Sequence, residues 1–427
     1  YKNSKFYTKT IQERLDMNIW CISKYAAPPK YSKMPARLFE LVSEFNSLGH
    51  NARLITSDSN HLANFPSTKN KYTDELIGDV QVRWLNTVKY KKTASIKRIL
   101  SWLDFERRLF FMPINSFEKP DVVLISSLSI FSIIYGYYLK KKFKAFLIFE
   151  IRDIWPLTMT EEGGFSKWHP LVLLISAIEK FGYKKSDLIV GTMPKLNLHV
   201  EGVLGYKKPF HCSPIGFNPK YYNIDSKVSK LEERLKSSIP SNRVVVGYAG
   251  SMGITNSLEM FIDTIESMRN NKNIYFVLVG SGDLKKRFES QLSKCKNVLF
   301  WPRIDQNEVN SFLNLCDVLY LSTQYSKVWD YGQSMNKVVE YMLASKPIIA
   351  TYAGYPSMIN EANCGSFVNT LDVSLKNEVL NIVDMSSKER KTIGENGKKW
   401  MYSNRKYSNL ARKYIEAIET TKTNKIY

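Results

Sequence analysis

A chain of 427 residues is longer than one hydrophobic core usually supports, and its 44% apolar content is ordinary for a globular protein, so two domains are expected. The formal charge of +21 predicts attraction to something anionic, whether nucleic acid, phospholipid headgroups or phosphorylated small molecules. Apolar runs of bilayer-spanning length, about 18 residues, are absent; the stretches 131–139 and 171–178 are too short.

The first half is the more basic, with 33 Lys and Arg against 19 Asp and Glu through Lys220. The clusters Lys89/Lys91/Lys92, Lys97/Arg98/Arg107/Arg108 and Lys140/Lys141/Lys142/Lys144 alternate with Tyr, Trp, Leu and Phe. Two readings stay open for them, solvated helix ends and a membrane-facing patch. Cys21, Cys212, Cys295, Cys316 and Cys364 are odd in number and far apart, which predicts reduced thiols in a cytoplasmic protein. The five histidines lack zinc-ligand spacing, and His199 and His211 are expected to be ordinary surface or satisfied residues. Met17 stands directly before the first apolar run and is expected to be the natural start; the polar residues before it do not read as a signal peptide.

Residues 18–23 predict a strand, 24–34 a loop, 35–48 a helix opened by Pro35 and ended by Gly49, and 52–56 a second strand. The alternation returns with strands at 121–126, 145–150 and 188–191 and helices at 129–142 and 178–183. Continuous apolar strands between helices imply a parallel sheet covered on both faces. The pattern breaks at 214–222, so the interdomain connection is placed between Phe217 and Arg243. It restarts with strands at 244–250, 274–280, 298–301, 318–322 and 347–351, with helices at 257–269, 284–295, 306–315 and 336–344 between them. A last strand is placed near 365–369, followed by helices at 386–396 and 407–418. The expected architecture is α/β, two Rossmann-like doubly wound domains facing a cleft: residues 17–218, residues 240–402, and a final segment 403–427 whose packing the composition does not reveal.

Gly250-Ser251-Met252-Gly253 follows a strand and precedes a helix, where backbone amides can meet a phosphate. A tight turn needing glycine is the alternative, and Gly280-Ser281-Gly282 carries the same ambiguity. The segment Ser334-Met335-Asn336-Lys337-Val338-Val339-Glu340-Tyr341-Met342, ending at Lys346-Pro347, is a polar loop opening an amphipathic helix. Its start offers free helix N-terminal amides, Lys337 adds a point charge, and Glu340 places a carboxylate one turn later.

This segment resembles the donor site of family 4 glycosyltransferases, retaining enzymes of the GT-B fold, and especially the bacterial O-antigen and capsule group with Ser-Pro-Asn-Lys-x-x-Glu-Tyr-Met-x-x-x-Lys-Pro. Phe149-Glu150-Ile151-Arg152-Asp153-Ile154-Trp155-Pro156 is similar to the Arg-Asp-x-Trp-Pro segment of the same group. Glu161 to Pro170 and Pro214-Ile215-Gly216-Phe217 extend the resemblance, and the first loop is placed like the family's loop near the diphosphate and acceptor. The chain departs from the family at four places. Gly332 replaces the first Glu of a Glu-x7-Glu pair, Arg152 stands where many members have His, Ile215 replaces Asn, and Ser251 and Asn256 stand where an Arg/Lys clamp is usual.

The resemblance implies catalytic roles for Arg152, Asp153 and Lys337. It implies nucleotide-sugar contacts from Gly250, Ser251, Met252, Gly253, Gly280, Ser334, Met335, Asn336 and Glu340, with Arg303 against the nucleobase. Because the usual clamp is missing, Lys337 and the amides of the 251–253 turn are expected to carry more of the phosphate stabilisation. No Asp-x-Asp occurs, so metal-free transfer is expected, without a cofactor beyond the nucleotide-sugar donor, taken to be UDP-linked. The implied activity moves a sugar, such as an N-acetylated deoxysugar, to a lipid-linked surface-polysaccharide acceptor. The implied location is peripheral, on the anionic cytoplasmic face of the cell membrane. A nucleotide-sugar epimerase of the same fold and a nucleic-acid-binding protein remain as alternatives, although no nucleic-acid motif is present and no such partner is expected.

Overall fold

The computed structural model describes residues 16–424, apart from 27, 33–36, 60–65, 67, 91–94, 128, 223–229 and 369–373. Pro35, Lys91, Lys92, Asn369, most of the polar start and part of the first loop therefore lie outside the described residues.

The chain forms two α/β domains, each a sheet covered by helices. The N-terminal sheet contains β1 (Asn18–Ile22), β2 (Asn51–Ser57), β3 (Tyr72–Ile77), β4 (Val80–Leu85), β5 (Val122–Ser126), β6 (Phe146–Ile151), β7 (Leu188–Gly191) and β8 (Phe210–Cys212). Their order is β3-β4-β2-β1-β5-β6-β7-β8. Every pairing is parallel except that of β3 with β4. This edge hairpin, turning at Gly78, is absent from the sequence expectation, as is the helix Ile96–Phe110. β3 is mostly exposed and polar, so it lacks the continuous apolar run that betrays the central strands.

The C-terminal sheet contains β9 (Val244–Ala249), β10 (Ile274–Val279), β11 (Val298–Trp301), β12 (Val318–Ser322), β13 (Ile348–Thr351) and β14 (Gly365–Phe367), all parallel, in the order β11-β10-β9-β12-β13-β14. Strand order reverses between β9 and β12, and between β1 and β5 in the other sheet, and loops that diverge at such points leave a crevice at the carboxyl ends of the strands.

The final helix, Tyr407–Thr423, packs on helix Arg37–Ser47 of the N-terminal domain. Tyr407, Leu410, Ala411, Tyr414, Ile415 and Ile418 form its buried stripe. Two chain crossings pair where the domains meet: Phe217 N donates to Arg405 O (3.0 Å) and Tyr407 N to Phe217 O (3.1 Å). Gly216 permits this approach, because a Cβ there would stand 2.5 Å from Arg405 O.

A buried ion pair joins helix Arg37–Ser47 to β6. Glu150 lies in β6, surrounded by Phe and Ile, and its carboxylate meets the Arg37 guanidinium at 2.8 Å with both side chains almost fully buried. Ser126 Oγ donates to the same carboxylate (2.8 Å), and Arg37 also donates to Ser213 O (2.6 Å). Full hydrogen bonding is what makes two buried charges tolerable. The connection between domains includes helix Lys230–Ser238, within the expected segment.

Candidate functional site

β9 ends at Ala249, and the next residues cross beneath the end of β10. Gly250 N donates to Val279 O (3.0 Å), Met252 N to Ser281 O (2.9 Å) and Gly280 N to Trp301 O (3.1 Å). The crossing is so close that a Cβ on Gly280 would lie 1.8 Å from Gly250 O, and one on Gly282 2.4 Å from Met252 O. These glycines serve backbone approach. The amides of Gly250, Met252 and Gly280 are therefore already engaged, and the Met252 side chain is wholly buried in the core beneath the turn. Within the 250–253 turn, Ser251 and Gly253 keep backbone amides that no carbonyl among the described residues engages.

Helix Asn336–Leu343 begins beside this turn. Its cap residue, Met335, is extended and forms no side-chain cap bond, so the first-turn amides are left to a ligand or solvent. Ser334 is committed elsewhere: its Oγ accepts from Ile215 N at 2.9 Å, bridging the two domains.

Lys337, half-buried, reaches back from the first turn to the end of β9. Its Nζ donates to Tyr248 Oη (3.2 Å) and Asn256 Oδ1 (3.1 Å), and lies 4.6 Å from the Tyr248 ring centroid. Tyr248 in turn donates to Ser251 O at 2.7 Å, so one chain of bonds ties the ammonium to the glycine turn. Burial lowers the Lys337 pKa to about 8, opposed by the charge of Glu340. No full counter-charge pairs with this cation among the described residues, an arrangement suited to an incoming anion.

Glu340 accepts a short hydrogen bond from the Gln306 side-chain amide. Burial raises its pKa to about 7, with the Gln306 bond and then Lys337 opposing. Arg303 is exposed on the loop that carries Gln306, and no hydrogen bond or ion pair joins it to Glu340 among the described residues.

Across the cleft, Arg152 and Asp153 follow β6. They form no ion pair with each other among the described residues. Arg152 is half-buried, its pKa lowered by burial and then by the Arg37 charge. Asp153 is open to the cleft yet ringed by protein; burial raises its pKa and Arg152 opposes.

The domains meet close by. Lys195 N donates to Tyr331 O (2.9 Å), and helix Leu157–Glu161 packs on the 3₁₀ turn Lys327–Tyr331. Gly332 faces Pro194 so closely that a Cβ would stand 2.4 Å from its Cδ, which explains in steric terms why no larger residue occupies this position. Lys24, in the first loop, serves the N-terminal core: its Nζ donates to Ser101 Oγ (2.9 Å) and Ser59 O (3.2 Å), away from any phosphate role. His199 is satisfied by Glu179 at 2.8 Å, and burial lowers the His211 pKa to about 4.

Three residues join the site without having been singled out as ligand-site members: Tyr248, Asn256 and Gln306. Asn256 reads in the sequence as a lost cation, whereas it orients the remaining one. Tyr248 is hidden because a tyrosine in a buried strand reads as core.

Residues 243–384 match the family described as Glycosyl transferases group 1. No curated protein sequence matches the chain. Among solved structures, sucrose-phosphate synthase from Thermosynechococcus elongatus aligns with a TM-score of 0.69 at 14% identity, covering 96% of this chain and all of that one. HepE from Anabaena, in complex with UDP and glucose, aligns at 0.61 and 13% identity over 95% of this chain and 100% of its own. WaaG, a glycosyltransferase involved in lipopolysaccharide biosynthesis, aligns at 0.60 and 17% identity over 93% and 98%. The fold is that of GT-B glycosyltransferases.

Proposed function

We propose, from the premise that the chain is a glycosyltransferase whose residues 243–384 form a group 1 domain, that it transfers the sugar of a UDP-linked donor, with retention, to a hydroxyl of a lipid-linked surface-polysaccharide acceptor. The single observation that carries the donor half of this reading is Lys337, held by Tyr248 and Asn256 beside an uncapped helix start. There the diphosphate receives first-turn amides, the helix dipole and one ammonium, and Glu340 accepts from the ribose. As the sugar–phosphate bond breaks, negative charge grows on the leaving oxygen, and Lys337 is the group placed to neutralise it. HepE, solved with UDP and glucose, lends support by analogy of fold.

The acceptor hydroxyl attacks the anomeric carbon from the face the diphosphate leaves and gives its proton to the departing phosphate oxygen, and Arg152 and Asp153 stand on that side of the cleft. Arg152 holds an anionic group of the donor or acceptor, and Asp153 orients the attacking hydroxyl. The reaction needs no metal in this scheme, because Lys337 and the amides supply the charge stabilisation. An O-antigen or capsule acceptor, an N-acetylated deoxysugar donor and a peripheral position on the inner face of the cell membrane complete the proposal. The basic first half of the chain supports that position.

The test is a panel of nucleotide-sugars incubated with the full chain, with and without lipid-linked saccharide, in EDTA. UDP-sugar turnover stimulated by acceptor is expected. No turnover across the panel, or thermal stabilisation by oligonucleotides but not by UDP, would overturn the reading.

A further inference from the structure

Helix Ile96–Phe110 turns Ser101, Phe105 and Leu109 into the core. Its solvent side carries Ile96, Ile99, Leu100 and Leu103, spaced i, i+3, i+4, i+7 and exposed by 77, 52, 48 and 54%. An outward apolar stripe of this kind contributes nothing to the fold it sits on. Helix Pro170–Lys185 also turns apolar side chains outward at its start, where Leu171, Leu173 and Leu174 are 38, 49 and 50% exposed and Trp168, just before the helix, is 72% exposed.

Both stripes lie at one end of the domain. Helix Ser132–Phe143 lies between and touches both helices, and all three begin beyond the carboxyl ends of strands. Trp102, Phe131, Trp155 and Ile175 line one crevice between the helix starts, with the Trp102 and Trp155 rings edge to face at 6.2 Å. Trp155 is two residues from Asp153, so the apolar surface adjoins the mouth of the cleft. Cations border it: Lys97 is exposed beside Ile96, and Lys167 Nζ lies 5.4 Å from the Trp168 ring centroid.

We infer that this end of the N-terminal domain docks on a lipid bilayer bearing anionic headgroups. The apolar side chains of the two helix starts enter the headgroup layer, and Lys97 and Lys167 meet phosphates. Charge selects this occupant over a second copy of the chain, since two faces of a domain this basic repel each other, whereas an anionic surface attracts it. The inference rests on the proposed lipid-linked acceptor for its purpose: docking here would hold the cleft mouth at the bilayer surface.

The test is co-sedimentation of the full chain with vesicles of phosphatidylcholine alone or mixed with phosphatidylglycerol. Binding to the mixed vesicles is expected, weakened by high salt but not abolished, because apolar insertion is not screened. The double variants Ile99→Glu/Leu103→Glu and Leu173→Glu/Leu174→Glu are each expected to lose about tenfold or more in vesicle affinity while UDP stabilises them as it does the native chain. Native-like vesicle binding by both variants, or complete release of the native chain by salt, would overturn the inference. So would a native dimer that the variants dissociate with vesicle binding unchanged. Loss of UDP stabilisation in the native chain would instead count against the donor reading, and vesicle binding would be scored independently of it.

Discussion

The ammonium of Lys337 and the phenol of Tyr248, 89 positions apart in sequence, are 3.2 Å apart in the folded chain, and the phenol passes the connection on to Ser251 O. The cation is thus aimed by the strand end that also makes the glycine turn. Tyr248→Phe keeps the ring and removes the oxygen, so a charge-assisted bond worth about 1.5 kcal/mol is lost and donor KM should rise roughly tenfold. Lys337→Ala should lower kcat/KM by about a hundredfold or more, as removal of a group stabilising developing charge does. Initial-rate kinetics with the preferred donor checks both, and near-normal turnover in Lys337→Ala would remove this residue from the mechanism.

Opposite pKa displacements at Lys337 and Glu340 define a pH profile. In the proposed scheme the diphosphate is met by protonated Lys337, which holds below about 8, and the ribose by ionised Glu340, which holds above about 7. Donor kcat/KM should rise through the lower value and fall through the higher, with a narrow maximum near about 7.5. Gln306→Ala removes a bond that favours the Glu340 carboxylate, so the rising limb should move to higher pH while the falling limb stays. A flat profile between about 6 and 9 would exclude these two groups as the titrating pair.

Gly280 is required by its neighbour's backbone. In Gly280→Ala the new methyl would meet Gly250 O at 1.8 Å, and neither atom belongs to a flexible side chain. A loss of stability on the order of 3 kcal/mol is expected, with a lower thermal midpoint and weaker UDP binding together. An unchanged midpoint would show that the two strand ends separate easily.

Arg37 and Arg152 are both drawn into the N-terminal domain but should respond oppositely to removal. Arg37→Ala strands Glu150 inside β6 and should cost about 3–5 kcal/mol in urea unfolding. Arg152 has no ion-pair partner among the described residues, so Arg152→Ala should leave stability within about 1 kcal/mol of native and lower turnover. Equal destabilisation by the two substitutions would make Arg152 a structural residue.

Much of this protein is readable from its sequence because local chemistry suffices for it. Apolar runs such as Val244 to Ala249 between amphipathic helices imply parallel sheets, the break after Phe217 separates two domains, and Ser334 to Glu340 marks a helix start whose sequence resembles a nucleotide-sugar site. The same sequence allows Gly250 to Gly253 to be read either as a phosphate turn or as a mere tight turn. Only the tertiary structure divides that segment, engaging the amides of Gly250 and Met252 in the crossing with β10 and leaving those of Ser251 and Gly253. It also decides what no local pattern encodes: that Asn256 and Tyr248 aim Lys337, that Ser334 bridges to Ile215, and that the last helix returns to the first domain. Hydrophobic periodicity reports what a segment must bury, because burial is a property of each residue and its near neighbours. Hydrogen-bond partners and unpaired charges depend on residues 80 or more positions away, and only packing brings those together.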